Sequence, residues 1–543
     1  MPLADRIALA VVADILANST RIDYTDYIND SKYICGFLLR YSLRRAYGTT
    51  DSRRKNVSTP ITERPNLALT VIVIGVIISA VDSTIVILAL PTMMRALHAG
   101  LGTVVWIVMA YLLVITLLAT QVGKLGDMFG RVRMYEIGFI IFVLGSAWCG
   151  ITTGWMELVL ARVAQGIGGA LITANSGAIV ADVFPVARRG RAYGFISVGW
   201  NIGAILGILL GGFLTTFFSW RWIFYINVPI GITALILALF VLREGAKGRH
   251  HQLDPGGFVT MGIGLASILL AMTRLASQGW HPSEWLLLFV GVIALAIFVL
   301  IEARQAEPLL HLALFRIRAV SFSFVASFFQ GLGGFSVLFL VMMYLQGARG
   351  LTPLQASLLL VPGYLLGGVA GPVGGRLTDR WGARWPAAIG LLLQAVAVLL
   401  YAHLSVSSSL VWIVVASLVN GLGSGAFFPA NNTAVMKGAP RAQFGIASGM
   451  LRTFGNIGMV LSFAAAIVMT STKIPRGLAF AMFVGSTHLS LAKISLFVVG
   501  LHTALYLSIA MLGLAFFASL MAKPTASDES NVASTPQPVE ELG

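Results

Sequence analysis

Apolar runs of about 20 residues, each bounded by charged or turn residues, recur along most of this chain, and no other feature limits its fold so severely. A run of that length crosses the roughly 30 Å hydrocarbon core of a bilayer as a helix. Lipid offers a backbone no hydrogen-bond partners, so each run must satisfy its own N–H and C=O groups internally. The short alternating strands of a membrane barrel are absent. Composition agrees, with 57% of the 543 residues apolar and 11% charged, where a soluble chain carries about 25% charged residues. The expected fold class is therefore an all-α polytopic membrane protein.

Fourteen spans are predicted, near 67–90, 103–122, 134–152, 157–180, 190–214, 220–242, 256–275, 284–302, 319–346, 353–375, 386–403, 409–432, 442–470 and 495–521. An even number places both termini on one side. Eighteen basic residues flank the spans on the side of the termini and seven on the other, even before the basic N-terminal segment is counted. Basic loops stay cytoplasmic, so both termini are expected in the cytoplasm. The net charge of +15 thus resides in loops and does not call for a nucleic-acid partner. Residues 1–66 mix acids, bases and tyrosines, so the first span is expected to serve as the insertion signal. Their basic stretch (Arg40, Arg44, Arg45, Arg53, Arg54, Lys55) reads as a solvated, poorly ordered tail or as a contact for an anionic leaflet. Residues 522–543, rich in Pro, Ser, Thr and Glu, read as disordered, and 472–493 as an interfacial loop. Cys35 and Cys149 are too few for a disulfide framework and are expected to be inert thiols.

An internal repeat orders the spans. Gly123-Lys-Leu-Gly-Asp127-Met-Phe-Gly130-Arg131 returns as Gly375-Arg-Leu-Thr-Asp379-Arg-Trp-Gly382-Ala-Arg384. Gln165-Gly166-Ile-Gly168, Asn175 and Asn201-Ile-Gly203 return as Asn420-Gly421-Leu-Gly423, Asn431 and Asn456-Ile-Gly458. Two six-helix halves of equal orientation follow, 67–242 and 304–521, with a two-helix insert at 243–303. Repeats of this kind are the sequence trace of alternating access.

Polar residues inside the spans are the candidates for function. An ionised Asp82 in the first span costs several kcal/mol at that depth, so it either lines a polar path and titrates or serves as a protonated hydrogen-bonding group between helices. Arg162 in the fourth span stays charged in any setting, and it needs a carboxylate or backbone carbonyls whether it tunes a nearby acid or only pairs structurally. Gly123, Asp127, Gly130 and Arg131, echoed by Asp379, are expected in short inside loops that form a cytoplasmic gate. Gly203, Gly207, Gly211 and Gly212 free one face of the fifth helix for close packing, expected at the seam between the halves. Trp220-Arg221-Trp222-Ile-Phe224-Tyr-Ile-Asn227 reads as interfacial anchoring. Asn201, Asn431 and Arg452 are candidates for the wall of a substrate cavity. The sequence holds no G-x-x-x-x-G-K-[ST] loop and no H-E-x-x-H, and His250-His251 lacks further metal ligands, which argues against an ATP-driven pump, an embedded enzyme and a metal site.

These residues together resemble the major facilitator superfamily, in its 14-spanner drug:proton antiporter branch, over about residues 65 to 521. The 123–133 segment resembles the superfamily's G-x-L-a-D-r-x-G-r-[kr] signature, and Asp82 to Pro91 the branch's first-helix L-D-x-T-I-V-n-v-A-L-P. Arg162 to Gly169 is similar to R-x-x-q-G-x-g-g, Gly203 to Gly212 to g-x-x-x-G-P-x-x-G-G, and 219–231 to the run that follows it. Ile208 stands in place of the proline, Ile87 in place of an Asn, and Met128 and Val132 in place of two basic loop positions. The resemblance implies a monomeric exporter in the plasma membrane that needs no cofactor. It would use the proton gradient to move lipophilic, often cationic small molecules, with Asp82 and Arg162 coupling the proton and the cavity near the midplane. A dedicated exporter of one endogenous lipid or metabolite is the alternative on the same scaffold. A non-transporting sensor is disfavoured by Asp82 and the repeated gate segments.

Overall fold

Every predicted span is a helix in the computed structural model, which describes residues 64–244, 254–279, 281–305, 310–440, 443–474, 478 and 490–522. The first half comprises α1 (Pro65–Ala96), α2 (Trp106–Phe129), α3 (Arg131–Ile151), α4 (Trp155–Val183), α5 (Val186–Phe217) and α6 (Asn227–Val241). The insert is α7 (Pro255–Gln278) and α8 (Pro282–Glu302). The second half is α9 (Arg318–Met343), α10 (Pro353–Trp381), α11 (Arg384–Ala402), α12 (Val411–Gly438), α13 (Phe444–Ser471) and α14 (Leu491–Met521). Fourteen helices among the described residues are long and apolar enough to cross a membrane. The N-terminal basic stretch with Cys35, His250-His251, most of 472–493 and the C-terminal tail lie outside the described residues.

Local chemistry sets the helix ends. Proline opens α1, α7, α8 and α10, where a missing N–H costs nothing. Thr352 and Gln355 form a reciprocal capping box on α10, and Asp254 caps α7 by accepting from the Gly257 N–H at 2.8 Å. The expected 123–133 loop is instead a single non-helical residue, Gly130, between α2 and α3. Its φ of 107° is open to glycine and strained for other residues. Without the proline that Ile208 replaces, α5 runs unbroken from Val186 to Phe217.

α1 is the core of the first half, packed on α4, α5 and α6. Its most apolar stretch is 83% buried, against 22% for the peripheral α8. The halves meet along α5 with α10 and α2 with α13. The insert lies beside the second of these seams, with α7 on both α2 and α13 and α8 on α7. Trp106 donates to Thr273 at 3.2 Å, and Gln121 donates to the Asp254 carbonyl at 2.9 Å, so α7 is tied to α2 near both ends.

The glycines of α5 do not act as expected. A Cβ on Gly203 would lie 2.7 Å from the Ile77 carbonyl oxygen, one on Gly207 2.8 Å from that of Val81, and one on Gly211 3.0 Å from that of Ile85. All three contacts are with α1, inside the first half. Of the four glycines singled out, Gly212 alone faces the other half, where a Cβ would stand 2.9 Å from the Pro353 carbonyl oxygen. The four-residue spacing builds a helix pair within the half, and the seam contact comes from one extra glycine out of that register.

Burial along two facing stripes reveals the state of the cleft. The end of the bundle that carries Gly130 and the α10–α11 turn is here termed the basic face, and its opposite the far face. At the far face Gln346 donates to the Leu88 carbonyl at 3.2 Å, and the Leu354 N–H donates to Thr216 at 3.1 Å. From there the α5 stripe runs Gly212, Ile208, Ile205, Asn201, Val198, Gly194. It changes from buried at Ile208 to exposed at Asn201 and Val198, and a Cβ on Gly194 would meet nothing within 4 Å. The α10 stripe repeats this from buried Ser357 to Gly368, Gly371 and Gly375, which likewise face open space. The cleft is shut at the far face and open at the basic face.

Adding one methyl separates the two glycine roles. Gly207→Ala is expected to lower the thermal unfolding midpoint in detergent, by an overpacking cost of about 1–3 kcal/mol. Gly194→Ala is expected to leave it unchanged or raise it slightly, because alanine is the better helix former. Equal midpoints for the two variants would contradict the packing described.

Candidate functional site: a buried charge cluster and a basic-face lock

Asp82 and Arg162 meet in the interior of the first half. The Asp82 side chain is 0% exposed and that of Arg162 1%, and Arg162 Nη1 lies 2.7 Å from Asp82 Oδ2. The other carboxylate oxygen accepts from Gln165 Nε2 at 2.9 Å and from Asn227 Nδ2 at 3.1 Å. Arg162 further donates through Nε to the Ile107 carbonyl at 2.9 Å and through Nη1 to Gln165 Oε1 at 2.6 Å. Its guanidinium stacks 4.0 Å from the centre of the Tyr111 ring, with Phe224 at 5.8 Å. Gln165 donates on to the Ser146 hydroxyl at 2.8 Å, which donates to the Phe142 carbonyl at 2.7 Å. Five helices, α1, α2, α3, α4 and α6, therefore share one ion pair.

The break before α6 brings Asn227 to this cluster. A one-turn helix, Trp222–Tyr225, ends just before it, and α6 starts at Asn227 itself. The aromatic run therefore does more than anchor an interface. Trp222 is exposed, but Trp220 and Phe224 are buried, and Phe224 is the ring beside Arg162. The sequence points to Asp82 and Arg162 but not to Gln165, Asn227, Ser146 and Tyr111. The signal it does carry for these is a set of amide and hydroxyl side chains within otherwise apolar runs.

The second half repeats the scaffold without these charges. The step of 252 residues from Asp127 to Asp379 takes Asp82 to Gly334, and the step of 255 from Gln165 to Asn420 takes Arg162 to Ser417. Both counterparts are neutral.

A second constellation ties α2, α3 and α4 at the basic face. Arg131 donates through Nε to Asp127 Oδ1 at 2.7 Å and through Nη1 to Asp182 Oδ1 at 2.6 Å. Its Nη1 also reaches the Ala178 carbonyl at 3.3 Å. Glu244, just beyond α6, caps the first turn of α3 by accepting from the Arg133 N–H at 2.9 Å and the Val132 N–H at 3.3 Å. Its carboxylate occupies the space that a side chain on Gly130 would fill, a second reason for glycine there. Gly123 faces open space. Asp379 does not mirror this arrangement. It is exposed and makes no ion pair among the described residues, and the position equivalent to Asp182 is Lys437.

Of the cavity candidates, Asn201 and Arg452 are exposed. Asn431 is buried, and its amide donates to the Ser323 carbonyl at 3.2 Å, so it serves the packing of α12 on α9 and is not a cavity wall. Among the described residues no group of three or more His, Cys, Asp or Glu could hold a metal ion.

Removing one member of a buried pair strands the other. Asp82→Asn is expected to cost about 3–5 kcal/mol of stability by leaving Arg162 uncompensated. The double variant Asp82→Asn/Arg162→Met should recover most of that loss. Chemical unfolding in detergent checks this, and a double variant no more stable than the single one would refute the pairing.

The sequence matches the Major Facilitator Superfamily over residues 72–463. It is 30% identical to the multidrug transporter protein MdtP of Bacillus subtilis, over 72% of this chain and 73% of that protein. It is 29% identical to the riboflavin transporter RibZ of Clostridioides difficile, over 73% of this chain and 86% of that protein. Among solved structures, a bacterial homologue of the human lysosomal transporter Spinster superposes with a TM-score of 0.59 at 18% identity, covering 87% of this chain and 99% of that one. With its paired six-helix halves, two-helix insert and fourteen membrane-spanning helices, the chain belongs to the major facilitator superfamily.

Proposed function

We propose that this transporter exports lipophilic small molecules from the cytoplasm in exchange for protons, as a monomer in the plasma membrane with no cofactor. The observation that carries the reading is the buried Asp82–Arg162 pair. A carboxylate with 0% exposure on the central helix of one half can be discharged by a single proton, and its partner cannot be. Protonation removes the charge that holds α1 to α4, and Gln165 and Asn227 lose an anionic acceptor in the same step. The packing of α1 on α5, and of α5 on α10, then carries that change to the seam between the halves. The basic face is taken as cytoplasmic from the excess of basic residues there. The inward-open cleft with Asp82 ionised would then be the loading state, reached when a proton taken up outside is released to the cytoplasm, and exchange follows where the halves change over only with Asp82 protonated or with substrate bound.

Arg131 with Asp127 and Asp182 would hold the basic ends of α2, α3 and α4 together as one unit while the halves rock. The confinement of the lock to one half suits a rigid body that moves as a whole. A preference for cations would want an acid on the cleft wall, and neither the α5 nor the α10 stripe carries one. The α5 and α10 walls thus give no support to the cationic preference that the resemblance implies. A dedicated exporter of one endogenous metabolite is the second reading, supported by the riboflavin transporter among the relatives.

Gradient-driven flux tests the coupling. Proteoliposomes under an imposed pH gradient are expected to move lipophilic dyes against their concentration gradient with the parent protein. Asp82→Asn is expected to lower that driven flux by tenfold or more, as removal of a positioned proton-transfer group does elsewhere, by roughly 10²–10⁴, and to retain exchange at equal concentrations. Driven flux that persists in Asp82→Asn would reject Asp82 as the coupling acid.

A further inference from the structure

Arg452 is the charge that the coupling scheme leaves over. It lies eight residues into α13 from the basic face, a depth of about 12 Å at 1.5 Å per residue. It is exposed, and it makes no hydrogen bond or ion pair among the described residues. The titratable group within its electrostatic reach is the Tyr193 hydroxyl. Tyr193 belongs to α5 in the other half, is itself exposed, and donates to the Gly177 carbonyl of α4 at 3.0 Å. Arg452 therefore points into the cleft between the halves. Gly449 one turn before it and Gly194 beside Tyr193 both face open space.

Two other cations of the first half have acid partners. Arg162 has Asp82, and Arg131 has Asp127 and Asp182. Asp379 at the end of α10 is exposed and makes no ion pair with Arg452 among the described residues. The cleft stripes of α5 and α10 supply one asparagine, one serine and one tyrosine among glycines and aliphatic residues, and no acid. A guanidinium does not give up its proton, so it cannot escape burial by becoming neutral. When the basic face closes, Arg452 would be taken out of water with no protein counter-charge. Closure over an empty cleft is then unfavourable, and closure over an anion is not.

We infer that the transported molecules are amphipathic organic anions, with a carboxylate or other oxyanion paired to Arg452 and an apolar body against the α5 and α10 walls. The inference rests on the export reading for the direction of movement, but not for binding. It also gives the empty cleft a reason not to cycle, since the substrate supplies the charge that closure requires. Planar oxyanions match the fork of an arginine, so lysine at this position should be an incomplete substitute.

Fluorescein and a cationic rhodamine ester share one xanthene body and differ in charge. Their binding to the purified protein in uncharged detergent can be followed by fluorescence polarisation at alkaline pH. Fluorescein is expected to bind in preference to the rhodamine. Arg452→Gln is expected to weaken fluorescein roughly tenfold or more, the scale of a charged hydrogen bond, with Arg452→Lys intermediate and the rhodamine affinity not reduced. Where Arg452→Gln is not monodisperse, the methyl ether methyl ester of fluorescein, which has no ionisable oxygen, serves instead, and it should bind the parent protein roughly tenfold more weakly than the anion. Preferred binding of the rhodamine, or fluorescein affinity unchanged by Arg452→Gln and by methylation, would overturn the inference. The two readings fail separately. A protein that binds fluorescein through Arg452 but moves neither dye under a pH gradient keeps the anion site and loses proton-coupled export. One that moves the rhodamine and not fluorescein keeps export and loses the anion site.

Discussion

One ion pair, buried where neither partner touches water, constrains much of this structure. Taking a carboxylate and a guanidinium out of water is costly, and the cost is offset only when geometry and further hydrogen bonds are good. Asp82 and Arg162 meet that condition by drawing on five helices: Ile107 and Tyr111 from α2, Ser146 from α3, Gln165 from α4 and Asn227 from α6 join the acid on α1. The requirement accounts for local features that would otherwise look unrelated. The chain breaks before α6 at the point that delivers Asn227 to Asp82, and the glycines of α5 let that helix lie close on α1, the helix that carries the acid.

The halves share a scaffold and divide the chemistry. The first holds the titratable acid, its arginine and the three-residue lock at the basic face. The second has Gly334 and Ser417 at the equivalent positions, and presents Arg452 to the cleft. In this division the first half would answer to the proton and the second to the substrate. Their meeting along α5 with α10 and α2 with α13 lets one influence the other through packing alone. The seam is closed at the far face by backbone contacts at Leu88 and Leu354, and these are contacts that a rocking motion can break without stranding a charge.

Much of the fold was legible in the sequence because the bilayer constrains so strongly. Apolar length marked every span, and the repeat paired the halves. The acid and the arginine were legible as well, since a charge inside an apolar run is too costly to be incidental. Their partners were not, because Gln165, Asn227 and Tyr111 come from three helices whose rotation periodicity does not fix. The partner of the α5 glycines, α1, is hidden in the sequence for a similar reason. Four-residue spacing shows that a face is bare, but not which helix fills it. The gate segment resembles a loop in sequence because it holds glycine and charge, whereas one residue with positive φ suffices to turn the chain. Glu244 lies 112 residues from the Val132 N–H it caps, a separation no local motif encodes.

The central claim is that the charge on Asp82 sets which face of the cleft is open. The most direct measurement is the distance between spin labels placed at Gly194 of α5 and Arg376 of α10, which flank the cleft at the basic face, followed by electron–electron resonance as a function of pH in a chain lacking Cys35. With a saturating substrate anion present, the account predicts that acidification lengthens this distance, because protonation favours return to the inward-open state, and that Asp82→Asn holds it at the long, low-pH value throughout. A pH-dependent distance that persists in Asp82→Asn would place the switch on another group and contradict the account.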